Sequence, residues 1–323
     1  MSFFKFTVPA DFKGTVRLDK YIAAVPDGMN RSRLKHGVSA ILVEGKPVKL
    51  SYKIKAGEHI EITWKEDIPS DILPENIPLS ILYEDTDVTV IDKKQGMVTH
   101  PAAGNWTGTL VNALLYHWDC KPVHQMASGS IPDILAARRP GIVHRLDKDT
   151  SGTIITAKNP EAEEWLQKQF RNHLVKKEYI AIVSGRPPSV TGEICTQLIR
   201  DPKNRKLYKA VTNTSEGKYA RTLYHCISCY GTYSLIRLRL KTGRTHQIRV
   251  HMKYIGCPIV GDVLYNGKKD TLFSSATLML HARLLKVRLP GSRKYVSFVA
   301  PVPVRFKKVI AVLHALFPKE LLK

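Results

Sequence analysis

Three prolines, Pro69, Pro74 and Pro78, interrupt the chain between residues 66 and 80. Proline fixes φ and removes a backbone donor, so this stretch reads as a stiff, extended linker rather than part of a packed element. It divides 323 residues into a short first part and a long second part, enough for two cores of unequal size. Residues 15–65 then form a small module, preceded by an extension over 1–14, and residues 81–323 form the large domain.

In the small module, Leu18, Tyr21, Ile22 and Val25 fall at helical spacing, and Pro26-Asp27-Gly28 ends that helix. A second helix is predicted from Asn30 or Ser32, with Leu34, Val38, Ile41 and Leu42 as its apolar face. Arg31, Arg33, Lys35 and His36 occupy the other face. Two turns follow, at Glu44-Gly45 and Lys55-Ala-Gly-Glu, then an alternating strand from His59 to Trp64. This is an αα-β pattern with a basic helix face.

Beyond the linker, strands and helices do not alternate regularly. Asp87–Asp92, Lys177–Val183 and Tyr233–Leu240 read as strands. Thr109–His117 reads as a helix, and so does a segment from Pro160 to about Leu174 with Ala162, Leu166, Phe170 and Leu174 inward. Residues 119–140 read as a surface insertion. The expected fold class is α+β, with the large domain built on a mixed, mostly antiparallel sheet rather than a doubly wound one.

Charge narrows the function. Fifty Lys and Arg against 28 Asp and Glu give a formal net charge of +22. A charge so far from zero repels itself in the compact state, and a polyanionic partner relieves that repulsion. Nucleic acid fits, because each phosphate contact releases condensed counterion. A membrane partner is not expected: no apolar run approaches the ~18–20 residues of a span. The first fourteen residues carry Lys5, Asp11 and Lys13 and make a poor secretory signal, so a cytoplasmic location is expected. Five scattered cysteines do not make a disulfide framework. Cys226 and Cys229 form a C-x-x-C within a strand, where positions three apart face opposite ways, so no metal site is expected. Walker, dinucleotide-binding and H-E-x-x-H motifs are absent.

Three runs carry chemistry. In Ile142-Val-His-Arg-Leu-Asp-Lys-Asp-Thr-Ser-Gly152, a carboxylate, Asp147, sits beside Arg145 in a polar break between apolar stretches. An ionised, aimed and partly dried carboxylate is a nucleophile. On spacing alone, Asp147 and Asp149 read more readily as turn residues than as a site. In Lys241-Thr-Gly-Arg-Thr-His-Gln-Ile-Arg-Val-His251, Arg244 and Arg249 offer guanidinium forks for a carboxylate or a phosphate. A buried Asp needs a cationic partner to stay ionised. Arg244 is the expected partner, and Arg249 is expected to grip phosphate. In Lys176-Lys-Glu-Tyr-Ile-Ala, Tyr179 can stack on a base, or be a core tyrosine. Lys203, Arg205, Lys206, Lys209, Lys218 and Arg221 make a basic stretch suited to phosphate.

Two resemblances follow from these residues. Arg17-Leu-Asp-Lys-Tyr, Asn30-Arg-Ser-Arg-Leu, Val43-Glu-Gly-Lys-Pro-Val and Lys55-Ala-Gly-Glu resemble the RNA-binding domain named after ribosomal protein S-four. That resemblance implies RNA contact by Arg17, Lys20, Arg31, Arg33 and Lys35. His100-Pro-Ala-Ala-Gly, Gly141-Ile-Val-His-Arg-Leu-Asp-Lys-Asp-Thr-Ser-Gly, Lys177-Glu-Tyr-Ile-Ala, Gly243-Arg-Thr-His-Gln-Ile-Arg-Val-His, Val260-Gly-Asp-Val-Leu-Tyr and Leu280-His-Ala resemble the RluA-type pseudouridine synthases, especially those acting on large-subunit ribosomal RNA.

The second resemblance implies an isomerase of rRNA modification and ribosome biogenesis that works by base flipping, without cofactor or metal, as a monomer. It implies that Asp147 attacks the target nucleotide and Arg145 fills the space left by the extruded uridine. It implies that Tyr179 stacks on the flipped base and assists proton removal, and that Arg244 pairs with Asp147. RNA binding by Lys203, Arg205, Lys206 and Arg249 would complete the interface. An RNA-binding factor without chemistry, a tRNA substrate and a glycosylase remain as alternatives.

Overall fold

The computed structural model describes residues 2–12, 14–22, 38–64, 71–102, 104–120, 123–124, 141–204, 206–212, 214–266, 272–318 and 320. They fall into two units: 1–73 with 102–107 and 121–139, and 74–101 with 108–120 and 140–323.

In the small unit, the chain runs through β1 (Ser2–Thr7), β2 (Val16–Arg17), α1 (Leu18–Ile22), β3 (Val38–Val43), β4 (Lys46–Pro47), β5 (Lys53–Ile54), β6 (His59–Trp64) and β7 (Asp71–Ile72). One sheet has the order β1-β6-β3-β4. Leu18 and Ile22 of α1 pack on Ile41, Val43, Ile54, Ile60 and Ile62. The turn between β3 and β4 places Glu44 and Gly45 both at positive φ, the backbone of a tight two-residue hairpin.

Two expectations change here. Residues 1–14 are not an extension ahead of the module: β1 pairs antiparallel with β6 along its whole length and borders the sheet. The predicted second helix does not reach Val38, Ile41 and Leu42. Those residues lie in β3, whose Ile41 and Val43 are buried at period two against β6. A β-branched run with a two-residue repeat satisfies its backbone in a ladder more readily than in a helix. Leu34 and the basic residues Arg31, Arg33 and Lys35 lie outside the described residues.

The large unit is built on β8 (Ile81–Glu84), β9 (Val88–Lys93), α2 (Leu110–His117), β11 (Ser151–Ala157), α3 (Pro160–Arg171), β12 (Lys176–Ser184), β13 (Thr191–Arg200), β14 (Tyr208–Val211), β15 (Lys218–Tyr230), β16 (Tyr233–Leu240), α4 (Gln247–Tyr254), β17 (Leu280–Arg288), β18 (Tyr295–Val299) and α5 (Val304–Leu316). The intervening β10 (Val123–His124) pairs with β7 in the small unit. Of the expected insertion 119–140, residues 121–122 and 125–140 lie outside the described residues.

The large sheet runs β14-β13-β15-β16-β12-β17-β11-β9-β8, with β18 also on β17. Among the described residues its β11–β17 pair is parallel and its other pairs antiparallel. The mixed, mostly antiparallel sheet read from the sequence is therefore present. Both faces of its centre are covered. Ile154 packs with Leu110 and Leu114 of α2, Ile248 and Met252 of α4, and Phe306 and Leu313 of α5. Ile155 packs on the other side with Ala162 and Leu166 of α3. Every residue of β11 is consequently buried, which is why its sequence is apolar and small without alternation.

Local signals set the helix ends. Thr109 caps α2 in a reciprocal pair with Asn112, and Asn159 caps α3 ahead of Pro160. Helix α3 stops at Arg171, three residues before the predicted end. His173 turns the chain through φ +56°, leaving Leu174 exposed. Gly152 has φ +117°, and a Cβ there would run into the Ala282 carbonyl. Only glycine lets β11 lie this close to β17. That approach fixes the end of the polar loop 144–150.

Candidate active site

The loop 144–150 is held chiefly by backbone carbonyls. Thr99 Oγ1 donates to the Leu146 carbonyl at 2.9 Å, and Gln95 Nε2 donates to that of Asp149 at 2.9 Å. The Lys148 carbonyl accepts from the Gly96 N–H at 2.9 Å and from Lys93 Nζ at 3.2 Å. Lys93, fully buried at the end of β9, also donates to the carbonyls of Lys94 (3.0 Å) and Met97 (2.8 Å). Burial pushes its ammonium down to about 8, and the Asp147 carboxylate opposes that shift. At the C-terminal end, Ser151 Oγ meets His281 Nδ1 at 2.8 Å and accepts from Arg305 Nη2 at 2.6 Å. At the N-terminal end, His144 Nε2 accepts from the Ile155 N–H at 3.0 Å while its ring stacks on Phe170. Burial drives the His144 pKa down to about 3 and keeps the ring neutral, as an acceptor must be. Five short bonds to a seven-residue loop leave it little freedom, and Asp147 is aimed chiefly by its neighbours.

Asp147 opens into a cavity of about 460 Å³ whose lining includes Arg145, Tyr179, Lys177, Arg244, His246 and Arg249. The sequence placed Asp147, Arg145, Tyr179 and Arg244 in separate runs; the fold gathers them around one space. The Asp147 side chain is 21% exposed, half-dried at the wall.

Its cationic partner differs from the expected one. Arg249 Nη1 lies 3.7 Å from Asp147 Oδ2. Arg244 instead donates through Nε to the Tyr219 carbonyl at 3.0 Å and is exposed at the rim. Arg249, expected to grip phosphate, is only 6% exposed and forms a bidentate pair with Asp262, at 2.8 and 2.7 Å. Helical geometry explains the exchange. Arg244 precedes α4, in the turn where its own N–H binds Gln247 Oε1, whereas Arg249 lies within the helix on its buried side.

That buried side is polar. Gln247 donates to the Arg221 carbonyl and Thr222 Oγ1, and His251 bridges Thr222 and Thr196. Burial opposes the charge on Arg249, and Asp262 together with Asp147 outweighs it. Asp262 accepts the fork and also caps the N–H groups of Leu264 and Tyr265. The stretch Val260-Gly-Asp-Val-Leu-Tyr was singled out in sequence; that its Asp262 anchors Arg249 was not legible there.

His246 stands beside them, at φ +56°, with Nδ1 against Tyr265 OH at 2.8 Å and Nε2 3.9 Å from Asp147 Oδ2. Burial lowers its pKa in spite of that carboxylate, so the ring is mostly neutral at pH 7. Tyr179 is buried in β12, opposite Leu238 and Ala282. Burial first, and then the Asp147 charge, raise its phenol pKa. Tyr179 therefore keeps its proton at neutral pH, as an ordinary tyrosine does. Its ring faces the cavity as a flat apolar wall.

Of the remaining expected residues, Arg145 is exposed at the cavity rim, and Lys203 and Lys206 are exposed ahead of β14. Arg205 lies outside the described residues. Arg17 is exposed with Nε 3.0 Å from Asp19, and Lys20 is exposed on α1. Cys226 and Cys229 do not face opposite ways. A bulge between Cys226 and Ser228 shifts the register and brings the two sulfurs to 3.5 Å, buried. Among the described residues no group of three metal-ligating side chains converges.

The arrangement suits covalent chemistry on a flat ring: a fixed carboxylate, a paired guanidinium behind it, and an aromatic wall. Comparison with known proteins bears on this. The family model described as RNA pseudouridylate synthase matches residues 87–254. An uncharacterised RNA pseudouridine synthase of Chlorobaculum parvum is 42% identical over 312 residues, covering 91% of this chain and 93% of that one. Ribosomal large subunit pseudouridine synthase D of Borreliella burgdorferi is 40% identical, covering 94% and 90%. The solved human RNA pseudouridylate synthase domain containing 1 superposes with a TM-score of 0.56 at 25% identity, covering 77% of this chain and 91% of that one.

Proposed function

The chain belongs to the RNA pseudouridylate synthase family and is an isomerase, and from that premise we propose that it converts specific uridines to pseudouridine in large-subunit ribosomal RNA, with Asp147 as the attacking carboxylate. One observation carries the assignment: Asp147, Tyr179 and Arg145 line a single cavity, with Arg249 3.7 Å from the carboxylate.

The target base must leave its stack to reach that cavity, at a cost of a few kcal/mol. Arg145, exposed at the rim, takes the space the base vacates. The flipped uracil lies on Tyr179, whose ring stacks on it and whose protonated hydroxyl donates to it. Asp147, with the Arg249 guanidinium 3.7 Å behind it, attacks the nucleotide. The bond from ribose carbon 1′ to nitrogen 1 breaks, the base turns, and carbon 5 bonds to carbon 1′ in its place. Carbon 5 loses its proton and nitrogen 1, freed of the ribose, gains one, so substrate and product are isomers. Whether the attack falls on the base or the sugar does not alter the need for an ionised Asp147.

The ribosomal substrate is supported by the relative named for large-subunit RNA and by the leading module. Residues 15–65 together with β1 act as the RNA-binding domain, joined through 66–80 to the catalytic domain 81–323. In that module Arg17 and Lys20 are exposed for phosphate contact, and Arg31, Arg33 and Lys35, outside the described residues, are assigned the same role from their sequence. On the large domain Lys203 and Lys206 are exposed and extend the basic surface, with Arg205 assigned to it from sequence. The protein acts in the cytoplasm, where unmodified ribosomal RNA is found.

The test is incubation of the full chain with unmodified large-subunit ribosomal RNA and site-resolved detection of pseudouridine. New pseudouridine at discrete positions is expected, and none with Asp147→Asn. Modification of tRNA with ribosomal RNA untouched would overturn the substrate, and release of free uracil would overturn the reaction.

A further inference from the structure

Beside the catalytic cavity lies a second, larger hollow of about 650 Å³. The two share His173, Lys177 and Leu240 in their walls, so they adjoin at those residues. The hollow is lined from the first residues of β12, the end of β16, and β17 with β18.

Its charge is one-sided. Lys176 and Lys286 are direct cross-strand partners, and Lys177, Arg239 and Lys241 stand nearby. Like charges placed directly opposite each other destabilise a sheet. The one carboxylate in the lining, Glu178, is taken by Arg239 at 3.0 Å. Among the described residues, Lys176, Lys177, Lys241, Lys286 and Arg288 form no ion pair. Lys177 is also largely desolvated, which lowers its pKa. Within this cluster sits one aromatic ring, Tyr295. Lys176 Nζ, Lys286 Nζ and Arg288 Cζ lie 5.7, 5.8 and 4.6 Å from its centroid. Its hydroxyl is tied to the Leu174 carbonyl at 3.2 Å, which fixes the ring in place.

Resting on the reading of the cavity as the site of a flipped uridine, we propose that this hollow holds the single-stranded RNA next to the target: Lys177 binds the phosphate between the two nucleotides, Tyr295 stacks the neighbouring base, and Lys176 and Lys286 neutralise the phosphate beyond. An aromatic platform within a groove of unpaired cations is the arrangement that binds unpaired nucleic acid with little sequence preference. An RNA chain supplies the anions that this surface lacks, and it must leave the catalytic cavity through one of its open rims. The rim at Lys177 opens onto a space larger than the cavity that takes a whole nucleoside. The hollow therefore selects targets with an unpaired neighbour and contributes to binding rather than to the chemical step.

The experiment measures tritium release from uridine labelled at carbon 5, using transcripts of large-subunit ribosomal RNA and of tRNA, over a range of salt. Wild type, Lys286→Gln, Tyr295→Leu and Tyr295→Phe are compared as full chains. Tyr295→Leu is expected to raise KM about tenfold with kcat within about twofold, and Tyr295→Phe to stay near wild type. Lys286→Gln is expected to reduce the salt slope of log kcat/KM by about 0.7. Unchanged KM and slope in Lys286→Gln and Tyr295→Leu would overturn the proposal. Equal losses in Tyr295→Phe and Tyr295→Leu would also overturn it, because the hydroxyl tie and not the ring would then carry the effect. If wild type releases no tritium from either RNA, the enzymatic reading fails by itself. Salt-dependent binding of a labelled oligouridylate then decides the hollow: weaker binding by Lys286→Gln and Tyr295→Leu supports it, and equal binding overturns it.

Discussion

The floor of the catalytic cavity and the basic surface around it both rest on arginine and lysine, yet they use them in opposite ways. On the floor, Arg249 is buried and doubly bonded to Asp262, and Lys93 is buried against three carbonyls. At the rim and in the neighbouring hollow, Arg145, Arg244, Lys176 and Lys206 are exposed. A buried cation must be paired, because desolvating it costs several kcal/mol, and once paired it is fixed in place. An exposed cation keeps its water, stays mobile and is worth little to the fold. Fixed charge can hold a reacting carboxylate; free charge can meet a phosphate. The same residue types therefore divide between chemistry and docking chiefly by burial and pairing, with Lys177, largely desolvated yet without an ion pair among the described residues, standing at the boundary.

Substitutions test that division. Asp147→Asn should lower pseudouridine formation by on the order of a thousandfold or more while leaving RNA affinity within about twofold, read by tritium release and by filter binding. Arg249→Leu should cost about 3–5 kcal/mol in denaturant unfolding, since Asp262 would be left buried and unpaired, and activity should vanish with it. Arg249→Lys should recover little of either, because an ammonium cannot reproduce the planar fork. If Arg249→Leu kept full stability, the contrast between floor and rim would be lost. Lys93→Met should cost roughly 1–3 kcal/mol by orphaning carbonyls of the catalytic loop, with kcat falling more than KM.

Acid should find the large unit first. Burial holds His144 at about 3, and His251 and His281 at about 4. An unfolded histidine has a pKa near 6.5. Between those values the unfolded chain binds more protons than the folded one. Stability is therefore full above about pH 6.5 and falls as pH drops toward 4, by up to about 1.4 kcal/mol per unit for each such histidine. Urea unfolding at pH 7.5 and 5 checks the sign; equal midpoints would contradict it. Smallest of all, Lys206→Gln should leave the melting temperature unchanged and reduce the salt slope of RNA binding by about 0.7.

The elements were largely legible where their signals are local. Pro160 behind Asn159, Thr109 with Asn112, and the alternation from His59 to Trp64 each act over a few residues, and each element formed where expected. The run from Val38 forms a strand instead, since Val38, Ile41 and Leu42 at mixed spacing fit a helix until β6 offers them a ladder. Cys226 and Cys229 were misread for a related reason: a single bulge resets the faces of a strand, and no residue within it announces the bulge. In the site, Asp147, Tyr179 and Arg145 were found because their runs are dense in polar residues beside apolar strands. The partner of Asp147 was missed because Arg244 and Arg249 are chemically alike in sequence, and only the turn into α4 sends one outward and the other inward.

Sequence by itself determined the basic surplus, the two-part chain and the mixed sheet, and singled out the run that carries Asp147. Those follow from composition, from proline and from short-range periodicity, which need no knowledge of what lies across the fold. Tertiary structure alone decided which guanidinium lies behind the carboxylate, that Tyr179 is buried at the cavity wall, and that Lys176 and Lys286 face each other over one aromatic ring. The reason is desolvation: whether a charge is held or free depends on how much water its neighbours exclude, and those neighbours come from strands and helices distant in the chain.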